Sequence, residues 1–186
     1  MSEMRNPGAG QATGAHEIHA VDQAQSSSIP LLSAVLSAEN LAPIRTVLRF
    51  ARPDDVRLID APTAAALDVA LDMVDQGRQP TAVALHAELL RLGGYAGNAG
   101  EQVRNRVIAA TSPAEPPERL PEFAAAVLAE VYRAKFAALA YALDTMAETA
   151  AESELWVTLE REGRAIRAVR DSLTALRQHS GAVSDD

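Results

Sequence analysis

The stretch LDVALDMVDQGRQPTAVALHAELLRLGGY, from Leu67 to Tyr95, constrains the fold more than any other part of the chain. It reads as helix, tight turn, helix. Leu67, Leu71 and Val74 recur at helical spacing, and Gly77 stands at the C′ position, where helices commonly end in a left-handed residue. Thr81 offers its hydroxyl as the cap of the next helix. Val83, Leu85, Leu89 and Leu92 give that helix an apolar side, and Gly93-Gly94 ends it. Nowhere does the chain sustain the period-two alternation of a half-buried strand. The expected fold is all-α.

The same reading extends in both directions. Met1 to Ser27 is rich in Gly, Ala, Gln and Ser without periodicity, and is expected to be a disordered tail. Ser28 is placed as the cap of a first apolar helix, Pro30 to Leu36, and Asn40 as the cap of a second, Leu41 to Phe50. Arg52-Pro53-Asp54-Asp55 breaks the chain. Asp60 or Thr63 starts a third helix with Pro62 in its first turn. After Gly93-Gly94 a helix is expected from Glu101 to Thr111. The segment PAEPPERLP, Pro113 to Pro121, holds four prolines and forbids a continuous helix. Beyond it Leu128, Tyr132, Phe136, Leu139, Leu143 and Met146 are spaced by threes and fours. After a turn near Ala151 to Ser153, the residues Leu155, Leu159, Ile166, Val169, Leu173 and Leu176 follow a heptad alternation interrupted at Glu162. The expected organisation is a globular helical domain over residues 28–112, a Pro-rich linker over 113–120, an α-hairpin over 121–178 and a frayed tail over 179–186.

The Gly-turn at Gly77, the Thr81 cap, Val83, Leu85, Leu89 and the Gly-Gly that follows resemble the N-terminal domain of replicative DNA helicases of the DnaB type. The resemblance runs from about Ser28 to about Leu176. It takes in Pro30–Leu36 as the short opening helix, Leu41–Phe50 as the second, and Asp60. It also takes in a helix ending before Ser112-Pro113, and a long helix opening on Phe123-Ala124. The aromatic pair that precedes the Asp in that family is Leu58-Ile59 here, and a His that follows it is Thr63. The resemblance implies a collar-type module that pairs through its hairpin and contacts a helicase, a primase or a helicase loader. The motor domain is absent from this chain. Its phosphate-binding loop needs a Lys after a Gly-rich turn, whereas Lys135 is the only Lys and the Gly-rich stretch GGYAGNAG is followed by Glu101. Nucleotide hydrolysis is therefore not expected, nor is a cofactor.

Charge and composition narrow the remaining classes. A net charge of −8 opposes nonspecific binding to duplex DNA, which phosphate neutralisation drives. The chain has no cysteine, so disulfides and Cys-ligated zinc are excluded. No apolar run reaches the ~18 residues of a spanning helix, and the N-terminus lacks the apolar core of a secretory signal. A cytoplasmic protein is the simplest expectation. The polar ending after Gln178 favours a free-standing module over a fragment of a helicase. His16 and His19 flank Glu17 and Ile18, a spacing that suits a metal, but in an unpatterned tail without a third ligand. His86 sits beside Leu85 as a packing residue, and His179 lies in the tail.

An alternative reading of the Leu67–Leu92 pair is a DNA-binding helix-turn-helix of a transcriptional regulator. Its second helix would need basic and amide side chains aimed at base edges, and offers Arg91 against Glu88. A small helical enzyme ranks lower, since no nucleophile–base pair or carboxylate cluster is evident. The hairpin carries the candidate site. Its heptad residues Leu155, Leu159, Ile166, Val169, Leu173 and Leu176 pack against the preceding helix, and are also the expected self-association seam of a homodimer. Arg161, Arg164, Arg167 and Arg170, with Arg177 beyond, form a basic stripe on the last helix. That stripe is either a solvated face partnered by Glu160, Glu162 and Asp171, or a docking face for an acidic partner surface.

Overall fold

A computed structural model describes residues 27–112 and 114–183. Every regular element among them is helical, with no strand. The tail calls on residues 1–26, His16 and His19 included, lie outside the described residues, as do 184–186 and the side chain of His179.

Helix α1 occupies 27–37, and Leu31, Leu32, Ala34 and Val35 are fully buried on all sides of it. Ser28 and Ser33 are buried with them, so α1 runs within the core. It already includes Ser27, so Ser28 is not its cap. Instead the Ser28 hydroxyl is buried and donates to Asp60 Oδ2 at 2.5 Å. Helix α2, Leu41–Phe50, follows Asn40 at the cap position, although the Asn40 side chain makes no capping bond. The break expected at Arg52–Asp55 is a one-turn helix, α3, Pro53–Val56, with Pro at its first position.

Helix α4, Ala61–Asp75, begins at Asp60, whose carboxylate accepts from the Thr63 amide at 3.2 Å. It ends in a Schellman motif: Arg78 N–H donates to the Met73 carbonyl at 2.8 Å and Gly77 N–H to Val74 at 3.0 Å, with Gly77 at φ +74°. Helix α5, Ala82–Arg91, is capped by the Thr81 hydroxyl, which accepts from Ala84 N at 3.2 Å. Gly93, at φ +71°, closes it in the same way as Gly77. Only Leu85 and Leu89 of its expected apolar side are buried. Val83 and Leu92 face solvent, because α5 packs on α4 along a narrow stripe.

Helix α6, Gly97–Ala109, starts four residues before the expected Glu101. The glycines hide it from propensity reasoning, yet Gly100 has a packing reason. A Cβ there would lie 2.2 Å from the Tyr95 carbonyl carbon, so only Gly lets the chain fold back this tightly.

After Pro116, one 3₁₀ turn, Pro117–Arg119, leads into α7, Leu120–Ala147. Pro121 falls in its first turn, where the missing N–H is tolerated. Helix α8, Glu152–Val183, returns antiparallel and runs five residues past the expected end at Gln178. Leu120, Ala124, Val127, Leu128 and Val131 of α7 join Val169, Leu173 and Leu176 of α8 in one core with α1, α2 and α4. The hairpin base is therefore continuous with the body. Among the described residues no helix is long and apolar enough to cross a membrane.

Candidate interaction surface on the hairpin

The body reaches only half-way along the hairpin. At the base, Leu120 to Val131 of α7 bury one face. At the tip the chain reads FAALAYAL, residues 136–143, with no charged or amide side chain on any face of the helix. By its composition that segment should be enclosed. Instead Phe136, Ala137, Ala138, Ala140 and Tyr141 are exposed, with Tyr141 at 75%. The facing part of α8 adds Trp156 at 62%, Val157 and Leu159. Tyr132 and Phe136 stack edge to face with ring centroids 5.0 Å apart, which stiffens the start of this surface.

The seam residues divide accordingly. Ile166 (6% exposed), Val169, Leu173 and Leu176 are buried within the single chain, so they hold the hairpin together and to the body. Leu155 is half-buried and Leu159 exposed. The heptad pattern assigned all six to one surface. Only the tip pair lies within reach of a second molecule, and the pattern missed Phe136, Tyr141, Trp156 and Val157 as exposed apolar contacts. The run without polar residues is the signal that finds Phe136 and Tyr141; Trp156 and Val157, set among Glu152, Glu154 and Glu160, carry no such signal.

The arginine stripe is exposed, and the acids expected beside it are its neighbours. Arg161 pairs with Glu162 at 2.9 Å, Arg170 with Asp171 at 2.9 Å, and Arg164 lies 4.0 Å from Glu160. Such exposed pairs contribute little to stability. Arg167 has no ion-pair partner among the described residues.

Elsewhere the polar groups are engaged in holding helices together. Asp60 accepts from Ser28, from the Thr63 hydroxyl at 2.7 Å and from Arg106 Nε at 3.1 Å. It thereby ties α1, α4 and α6 around a buried carboxylate, which is stable only because it is so fully bonded. A cleft of about 280 Å³ beside it is lined by Ile59, Asp60, Gln102, Asn105 and Arg106. Lys135 reaches Asp55 at 3.5 Å, linking α7 to α3. The His86 Nδ1 is 3.1 Å from the Tyr95 hydroxyl, and burial pushes that hydroxyl's pKa up despite the charge of Arg104. On α5 the outward residues are Val83, Ala87 and Leu90, and the Arg91 guanidinium is taken by Glu88. That face lacks the donors a base-reading helix presents.

Among the described residues, half-buried Glu130 on α7 has an enclosed carboxylate oxygen left short of partners. Its Oε1 accepts from the Ser27 hydroxyl, while Oε2 is enclosed without a hydrogen bond. Burial holds its carboxyl above the ordinary range, with the Ser27 bond and the charge of Arg133 pulling the other way.

No family model, no curated protein and no solved structure matches the chain in comparison.

Proposed function

We propose that this chain is a non-catalytic helical module that works by protein–protein contact, in the manner of the N-terminal domain of a DnaB-type replicative helicase. Its hairpin pairs with a second copy, and the assembly contacts a helicase, a primase or a helicase loader. One observation carries the association: residues 136–143 are apolar on every face, and yet Phe136, Ala137, Ala138, Ala140 and Tyr141 are exposed. Burying a Tyr or Trp side chain is worth on the order of 2 kcal/mol, and such aromatics near the centre of a contact dominate its energy. The order of helices and the Gly77, Thr81 and Gly93-Gly94 punctuation support the replication setting.

The test is direct binding of the purified chain to the replicative helicase, primase and loader of the same cell, followed by fluorescence anisotropy. The reading expects at least one partner to bind with micromolar affinity or better, and expects Trp156→Ser to weaken that binding by tenfold or more. No binding to any of the three at tens of micromolar would remove the replication role.

A further inference from the structure

Three features of α8 are unexplained by the single chain. The first is Gly163, in the middle of a long helix. Glycine there destabilises the helix by about 1 kcal/mol relative to Ala. Its backbone is right-handed, and a Cβ would meet nothing within 4 Å. Nothing among the described residues requires Gly at this position.

The second is the charge distribution. Residues 152–160 carry Glu152, Glu154 and Glu160 and no cation. Residues 161–177 carry Arg161, Arg164, Arg167, Arg170 and Arg177 against only Glu162 and Asp171. The helix dipole explains acids in the first turn, but its influence fades within a turn. Glu160 and the arginines from 161 to 170 stand well inside a helix that runs to Val183.

The third is spacing. Glu152, Trp156, Leu159, Gly163, Arg167, Arg170 and Thr174 are separated by 4, 3, 4, 4, 3 and 4 residues, a pattern that reads the same in both directions from Gly163. Steps of three and four keep them on one face. That face is turned from the buried stripe of Ile166, Val169 and Leu173, with Leu159 at the border between the two, and its Trp156, Leu159, Arg167, Arg170 and Thr174 side chains are exposed.

We infer that two copies of this chain pair with their α8 helices antiparallel, crossing on a two-fold axis at Gly163. The inference rests on the hairpin being the self-association surface. Only the antiparallel sense matches the charges, since it lays each acidic half along the partner's basic half. Leu159, with Glu160 alongside, then faces the partner's Arg167, a guanidinium with no ion-pair partner among the described residues of its own chain. Trp156 faces the partner's Arg170, which can stack on the indole. Gly163 meets its own counterpart, and the absent Cβ lets the two backbones approach closely. A parallel pairing would bring acid onto acid and arginine onto arginine.

The chain has no cysteine, so engineered ones report position cleanly. Gly163→Cys should cross-link into a covalent dimer on mild oxidation, because the axis brings the two sulfurs within bonding reach. Ala168→Cys, on another side of α8, should not. Leu159→Cys and Arg167→Cys should each fail alone and cross-link when mixed. In sedimentation equilibrium Arg167→Glu should raise the dimer Kd by about tenfold, and Glu160→Arg combined with Arg167→Glu should restore most of it. Gly163→Ala should weaken the dimer without lowering the monomer's helical content. Cross-linking of Leu159→Cys alone, or an unchanged Kd for both Arg167→Glu and Gly163→Ala in a dimer that Tyr141→Glu dissociates, would overturn this crossing and leave hairpin pairing standing. A wild-type chain that is monomeric at tens of micromolar would overturn both.

Discussion

Gly77 holds a left-handed conformation at φ +74° with open space around it, so its requirement is purely one of backbone. Gly77→Val should destabilise the protein by about 1–2 kcal/mol, and Gly77→Asn by less, because Asn tolerates that region. Urea unfolding of the three proteins checks this, and equal midpoints would contradict it. Glu130 poses a different problem at the same scale. Burial raises its pKa in the folded state above the ordinary 4.5. At pH below that value the carboxyl is protonated folded and unfolded, and contributes nothing. As pH rises, the unfolded chain ionises first, so stability falls until the folded carboxyl has also ionised. Glu130→Gln keeps an acceptor for Ser27 and removes the charge. It should be at least as stable as the wild type at pH 7, and should flatten the decline in melting temperature that sets in as pH rises through the ordinary carboxyl range. A variant markedly less stable at pH 7 would mean that the ionised form is the one the fold prefers.

At the scale of the element, the hairpin divides into a buried base and an exposed apolar tip. Ile166→Glu places a charge against α7 with no partner, so it should unfold the hairpin and lower helical circular dichroism. Tyr141→Glu sits in solvent and should leave the circular dichroism unchanged. If Ile166→Glu kept full helicity, the buried seam would be misassigned. The punctuation of these elements is legible in the sequence because it is local. Asp60, Gly77, Thr81 and Gly93 act through bonds to residues three to five away, and each stands where a cap or C′ residue belongs. Leu159 and Leu173 occupy equivalent heptad positions, but only Leu173 lies within reach of the body, and that depends on where α1 and α2 end in space. The start of α6 at Gly97 is obscured for a related reason. Gly100 is dictated by the Tyr95 backbone, a tertiary contact that overrides helix propensity.

For the whole molecule, one core unites α1, α2 and α4 with the hairpin base. The chain's few aromatics are distributed unevenly over this frame: Phe136, Tyr141 and Trp156 are spent on the exposed tip. A protein with 4% aromatic residues that leaves three of them in water has a surface suited to a partner. The net charge of −8 opposes nonspecific attraction to the phosphates of duplex DNA. The most direct measurement of this account is sedimentation equilibrium of the wild-type chain beside Tyr141→Glu, from about 1 to 50 µM, a range that spans typical dissociation constants of such contacts. The wild type should fit a monomer–dimer equilibrium with Kd in or below that range, and Tyr141→Glu should sediment as a folded monomer. A wild type that stays monomeric throughout, or a Tyr141→Glu variant that dimerises equally well, would contradict the claim that the hairpin tip is an interface.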